Sequence, residues 1–466
     1  MNTSHHNISL VNRIFNPEIL FLILGTVFGL FFCFSTAPFQ VPDEFAHMYR
    51  AYQVSQFQLL PKVKSENEVG GYMPRSFLML EDSFLWMTTK PSSKVAFSRI
   101  KELLREPLNP TQTQFFTFKN SAIYSPIGYL PQSLGLLLGR QLAFSLLGQF
   151  YLGRIFNVLI WIALTYTSIH VLPVHKWAMF VIALMPMTIT QAASYSIDSI
   201  LNGLSFLFIA LVIRAACNES VKPVWRDFIL WIILLSLITL SKSAYVLLAG
   251  LLLIIPLKKF MPWKKFILVM AIIIGIPLVT YMAWIKLLTN SGINLSVGEQ
   301  FNPGLQIQWI FGNILPYSKL LILNYVRMAL PLMVSCIGYL GWLNQPLPSN
   351  AYPTFVLFIF LTFMLDHNYP RIRVLPWQRI GIVGVVAACM LTIATSIFVI
   401  SNPVAYYRID GIQGRYFIPL VPLIGLLIYN NTIRIPGWTL KLFVPLGSIW
   451  FMVLAVLTVL QRIQFY

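Results

Sequence analysis

Long apolar runs separated by short basic connections dominate this chain, and they leave few folds open to it. The first is Ile19–Ala37, "ILFLILGTVFGLFFCFSTA". A helix needs about 20 apolar residues to cross a bilayer. Candidate spans cover 18–37, 151–171, 177–194, 199–216, 228–241, 243–257, 266–288, 351–366, 379–400, 416–430 and 438–460. Several are short, which suits tilted helices or ones that end in a cavity. Hydrophobic residues make up 57% of the chain and charged ones 10%, whereas a soluble domain carries about 25% charged residues. The expectation is an all-α integral membrane protein. Its net charge of +18 is no signature of nucleic-acid binding, because basic residues of membrane proteins collect in cytoplasmic loops and near headgroups. No nucleic-acid partner is expected. Cys33, Cys217, Cys336 and Cys389 are scattered, with neither metal-ligand spacing nor a disulfide framework.

Two apolar segments are ambiguous: 125–147, broken by Pro126, Pro131 and Arg140, and 317–343, which carries Lys319, Arg327 and Pro331. Loop charge decides between the alternatives. If both lie at the interface, the basic connections share one side: His175/Lys176, Arg214/Lys222/Arg226, Lys258/Lys259/Lys264/Lys265, Arg371/Arg373/Arg379 and Arg434/Lys441. That is the positive-inside pattern. Most acids then face outward, including Asp43, Glu44, Asp198, Glu299 and Asp410. The reading is about 11 spans, within a range of 9 to 13, with a cytoplasmic N-terminus and an outer C-terminus. Ser35-Thr36-Ala37 has the small residues of a signal-peptide cleavage site. Pro38 would follow the cut and the apolar run is long, so an uncleaved span is expected.

The domain reading is a tail and first span (1–37), an outer loop (38–149), a transmembrane core (150–288), a second outer region (289–350) and a C-terminal bundle (351–466). Loops beyond about 15 residues are usually functional or disordered. The first outer loop has helical signals at Asp43–Gln56 and Ala96–Leu104 and many aromatics, so it is expected to be ordered against the membrane.

The chemistry-bearing residues fall at the predicted outer ends. In "FQVPDEFAHMYRAYQ", Pro42 and the acids Asp43 and Glu44 suit a helix start, and plain capping accounts for them. The sharper reading uses helical spacing: Glu44 and His47 share a face, with Arg50 beside it. An acid near a cation suits proton removal from a hydroxyl that attacks a phosphate-activated carbon. Glu44-x-x-His47 is also half of a carboxylate metal motif, but no second copy exists, and no His-Glu-x-x-His, Walker loop or dinucleotide fingerprint is present. "SYSIDSILNG" places Asp198 at a helix start, as a cap or as a functional acid among spans. "LSKSAYVLL" places Lys242 between apolar runs, where it snorkels or binds phosphate. "IDGIQGRYFIPLVP" places Arg415 and Tyr416 at the mouth of a span. Arginine grips phosphate with a planar fork.

On these residues the layout resembles the GT-C superfamily of glycosyltransferases, which use polyprenyl-phosphate-linked sugars. The shared features are an outer loop opening on acids (Asp43-Glu44), an interfacial helix ("YSPIGYLPQSLG"), an arginine at a helix start (Arg154 in "GRIFN") and a second outer acid (Asp198). More closely, "VPDEFAHMYRA", "GRIFN", "SYSIDS", "LSKSAY" and "GIQGRYFIPL" are similar in order to a bacterial family of predicted membrane proteins of unknown function. The resemblance implies transfer from a polyprenyl-phosphate donor to a glycan or lipid-linked acceptor outside the bacterial inner membrane. It assigns the base to Asp43. The superfamily's Lys-Pro-Pro start is Pro-Ile here, so a phosphate-binding lysine falls to Lys119 or Lys242. Arg415, with Lys242 and Arg50, would hold the leaving phosphate, and His47, Tyr416 and Arg154 join the substrate-binding set. No cofactor is assigned; a divalent metal serves some superfamily members and not others, and stays open. Two rivals are a flippase for lipid-linked saccharides and a glycan polymerase or ligase. The sequence shows none of the internal symmetry common in transporters.

Overall fold

The computed structural model describes residues 15–65, 68–260, 263–293, 301–366, 372–429, 432–433 and 435–464. Arg371, Arg434 and Glu299, named in the charge pattern, lie outside them, as do the side chains of Lys264 and Lys265.

The chain is mostly helical, with little sheet. The helices used below are α1 (Pro17–Ser35), α2 (Glu44–Ser55), α3 (Leu130–Gln141), α4 (Leu146–Val171), α5 (Lys176–Ala183), α6 (Pro186–Ala192), α7 (Asp198–Cys217), α8 (Trp225–Ser241), α9 (Trp263–Asn290), α10 (Ile314–Gly338), α11 (Ala351–Leu365), α12 (Pro376–Ser401), α13 (Val421–Leu427) and α14 (Gly437–Leu460). Among the described residues seven are long and apolar enough to cross a membrane: α1, α4, α7, α9, α10, α12 and α14. This is the architecture of an integral membrane protein.

Several shorter apolar runs are broken helices. The run 177–194 divides into α5 and α6 at Pro186, which lacks the N–H that a continuing helix needs. After α8 the backbone extends at Lys242 and re-enters as a 3-10 helix, Ser243–Ile254. Another 3-10 helix, Gly414–Leu420, precedes α13. Irregular backbone at membrane depth is tolerated where it is buried in protein or lines a cavity.

Residues 38–149 cover one end of the bundle. Glu18, at the start of α1, pairs with Lys176 far from that cover, whereas the carbonyl of Thr36 lies beneath it against Arg154. At the far end Asp366 accepts hydrogen bonds from the backbone N–H groups of Trp177 (2.7 Å) and Ala178 (3.0 Å), and Gln378 donates to the Ile254 carbonyl. At the covered end Arg462, after α14, donates to the carbonyls of Met87 and Lys90. α10 is long enough to be a span, and among the described residues several of its hydrogen bonds lie toward the covered end. Tyr317 bonds Thr395, in the last third of α12, and Ser335 accepts from the Gly414 N–H. Trp342, just beyond α10, donates to the Phe39 carbonyl.

The cover has its own core, with Met48, Tyr49, Tyr52, Phe77, Phe84 and Phe116 buried together. The expected helices form at Glu44–Ser55 and Phe97–Leu103. Not expected is a small antiparallel sheet in which Val69–Pro74 lies between Lys62–Val63 and Thr113–Thr117. Its centre is closely packed: a Cβ on Gly70 would fall 1.8 Å from the Phe116 carbonyl oxygen.

α3 lies against α4 with an exposed stripe of Leu130, Leu134, Leu138 and Leu142, the i, i+4 spacing of an amphipathic face. Its inner face is so close to α4 that a Cβ on Gly135 would meet the Leu152 carbonyl oxygen at 2.5 Å. Backbone cannot give way as a side chain does. Gly135→Ala is therefore expected to cost about 1–3 kcal/mol, read as a lower melting temperature of the purified protein in detergent.

Candidate functional site

Asp43 is the residue before α2, and its backbone is left-handed at φ 62°, a conformation that aspartate tolerates better than most residues. The turn aims its carboxylate away from the helix and over the bundle. Asn120, in the short helix Lys119–Ala122, donates to its Oδ1 at 3.3 Å.

Below lies Asp198, the first residue of α7, buried with its side chain 4% exposed. Lys242 donates to its Oδ1, and Arg415 Nε lies 3.5 Å from its Oδ2. Arg415 also reaches Asp43, with its Nη2 3.8 Å from Oδ2. The Tyr416 ring sits beneath both cations, with Lys242 Nζ 4.4 Å and the Arg415 guanidinium carbon 5.5 Å from its centroid. The two breaks in helix, at Lys242 and before Gly414, are what bring these cations to the acids.

These groups line a cavity of about 470 Å³ together with His47. One wall is polar. The other is built from Tyr281, Trp284 and Ile285 of α9 and Ile393, Ile397 and Ile400 of α12. α9 and α12 each pack on the 3-10 helix Ser243–Ile254 between them, so the cavity has an apolar flank along two membrane helices. His47 Nδ1 lies 2.7 Å from the Tyr129 hydroxyl. Burial holds the imidazole down at about 4, outweighing the opposite pull of Asp43, so the ring is neutral near pH 7. Burial likewise raises the phenol of Tyr124, another lining residue.

Four of the residues singled out in the sequence, Glu44, Arg50, Lys119 and Arg154, lie outside the cavity lining. Glu44 and Arg154 are fully buried and pair with each other through two hydrogen bonds, Nε to Oε1 at 2.8 Å and Nη2 to Oε2 at 2.7 Å. Arg154 also donates to the carbonyls of Cys33, Thr36 and Ala37, and Glu44 Oε1 accepts from the Tyr195 N–H. Neither residue lines the cavity. The expected common face of Glu44 and His47 therefore does not form a shared site: one side chain turns to α4 and the other to Tyr129. Arg50 is also buried, donating to Gln53 and to the carbonyls of Leu59 and Tyr124, and has no place in the cavity lining. It ties the cover together instead of assisting a phosphate. Lys119 is absent from the lining, whereas Lys242 is part of it.

The structure adds residues that the sequence reading missed. Gln191 offers its Oε1 to Arg415 Nη1 at 3.4 Å, and Asn120, Tyr124 and Trp284 are among the lining residues. An isolated glutamine inside the apolar run 177–194 was a usable signal; Asn120 carried none. Among the described residues no group of three or more His, Cys, Asp or Glu side chains is placed to hold a metal ion.

Arg415 differs from the other buried arginines. Arg154 makes five hydrogen bonds to Glu44 and to carbonyls, and Arg462 is similarly occupied by Gln40 and the 87–93 backbone. Arg415 makes a long bond to Gln191 and interacts with the Tyr416 side chain, and its ion pairs are at 3.5 and 3.8 Å. Its Nε finds no hydrogen-bond acceptor, as is also true of Arg50 and Arg462, but of these arginines Arg415 is the one that lines the cavity. A buried guanidinium left so sparsely bonded beside a cavity is a ready acceptor of an anion.

No curated protein and no solved structure matches the chain. A family described as predicted membrane protein (DUF2142) matches residues 26–424, which takes in every cavity residue named above. The chain belongs to this family of predicted membrane proteins.

Proposed function

We propose that the chain is a GT-C-like glycosyltransferase of the bacterial inner membrane. It transfers a sugar from a polyprenyl-phosphate donor to a glycan or lipid-linked acceptor on the extracytoplasmic side. The single observation that carries this reading is the sparsely bonded Arg415, which shares Asp198 with Lys242, at the junction of a polar wall and an apolar flank. A lipid phosphate asks for that combination: cations for the head and hydrocarbon-lined helices for the tail.

The alternation of helix ends supports eleven crossings, made by α1, α4, α5 with α6, α7, α8, the 3-10 helix Ser243–Ile254, α9, α11, α12, the 414–427 pair and α14. On that count α10 stays near the covered end, and the cover with Asp43 faces away from the basic connections.

The acceptor hydroxyl gives its proton to Asp43 as its oxygen bonds to the anomeric carbon. The bond from that carbon to the phosphate oxygen breaks, and its electron pair leaves with the phosphate. Arg415 and Lys242 stabilise the charge that develops there. Asp198 positions both cations from below. A single displacement of this kind inverts the anomeric centre.

Arg415→Ala is expected to weaken binding of polyprenyl phosphate to the purified protein by about tenfold or more, measured by calorimetry in detergent. Arg415→Lys should recover only part, because an ammonium lacks the fork. Unchanged affinity in a folded Arg415→Ala variant would sink the reading.

A further inference from the structure

A second hollow, of about 520 Å³, shares no lining residue with the Asp43 cavity. Its walls are Phe34, at the end of α1, and Phe144, Tyr151, Leu152 and Ile155, on and just before α4. Leu104 and Arg105 of the cover form its rim. The Phe34 and Tyr151 rings pack together in its wall, with centroids 5.3 Å apart. Its outer edge is apolar and exposed at Phe34, Leu104, Leu142 and Phe144, continuing the leucine stripe of α3. Such a belt on a membrane protein is covered by lipid.

Arg105 is the charged group at this rim. Its neighbour Glu102 is engaged by Arg99 at 2.8 Å, and among the described residues no carboxylate pairs with Arg105. An apolar slot with an exposed guanidinium at its rim complements an anionic lipid: chain in the slot, phosphate on the fork.

We infer that this groove seats an anionic bilayer phospholipid, with an acyl chain between α1 and α4 and its phosphate on Arg105. The occupant is a bilayer lipid and not the sugar carrier, because a carrier phosphate held here would sit apart from Asp43 and Arg415. The bound lipid would fix the 103–107 segment of the cover to the membrane. The choice of a bilayer lipid over the carrier rests on the transferase reading, whereas the groove and its cation do not.

The test is native mass spectrometry of the full chain, stripped of lipid and incubated with phosphatidylglycerol, phosphatidylethanolamine or polyprenyl phosphate. The wild type should retain phosphatidylglycerol over phosphatidylethanolamine. Arg105→Ala should lower retention about fivefold, the worth of one basic residue at an anionic headgroup. Ile155→Trp, which narrows the slot from a half-exposed position, should do the same, and Arg415→Ala should leave it unchanged. Arg105→Ala retaining phosphatidylglycerol with the wild-type preference would overturn the inference. So would an Arg105-dependent preference for polyprenyl phosphate.

Discussion

Asp43→Asn is expected to lower sugar transfer by about 10²–10⁴-fold, the usual worth of a positioned general base, while binding of the polyprenyl-phosphate donor persists. The substitution suits this position. The Asp43 backbone is left-handed, and asparagine enters that region about as readily as aspartate, so the turn into α2 is preserved. The amide oxygen can still accept from Asn120. The ion pair that is lost, to Arg415 at 3.8 Å, is long. Exposure separates the two acids of the site: the Asp43 side chain is 39% exposed and that of Asp198 is 4% exposed. The exposed acid can meet an acceptor arriving from the covered end, and the buried one cannot. The readouts are initial rates with a polyprenyl-phosphate sugar and, separately, donor affinity. A folded Asp43→Asn protein that transfers at the wild-type rate removes Asp43 as the base. A wild-type protein that binds the donor, moves it across vesicles and never transfers the sugar returns the field to a flippase.

The sequence was most informative where a polar residue interrupts an apolar run. Lys242 between two greasy segments, Asp198 at a helix start and Arg415 behind Gly411 and Gly414 each break a pattern that hydrocarbon would otherwise dictate, and all three line one cavity. Partner choice was less legible. Glu44 and Arg154 stand 110 positions apart, and nothing local says that they neutralise each other instead of meeting a substrate. Arg50 carries the same charge as Arg415, but its two terminal nitrogens are engaged by Gln53 and by carbonyls that the chain brings to it only on folding. Helical spacing placed Glu44 and His47 on one face, yet side chains in a first turn are free to diverge, and these do. The sheet of the cover was hidden because Val69–Pro74 contains two glycines and a proline, residues depleted in strands. It is the pairing with the distant Thr113–Thr117 segment that makes it a strand.

Breaking the Glu44–Arg154 pair is expected to cost about 3–5 kcal/mol, since removing one partner leaves the other charge buried and unpaired. Either Glu44→Ala or Arg154→Ala should therefore give a strongly lowered melting temperature and poor recovery from membranes. The pair sits where α1 ends, the cover begins and α4 passes beneath, so it joins three parts of the chain. A double change to apolar residues often rescues a buried ion pair, but here it should not. Arg154 also satisfies the carbonyls of Cys33, Thr36 and Ala37, and Glu44 the N–H of Tyr195. An apolar pair would orphan all four groups, each worth about 1–3 kcal/mol when left buried without a partner. Glu44→Gln is the discriminating variant. It keeps the shape and an acceptor for Tyr195 but gives up the charge, so a structural role predicts lower stability with near-normal transfer per folded molecule. A Glu44→Gln protein that melts like the wild type yet transfers nothing would instead make Glu44 part of the chemistry.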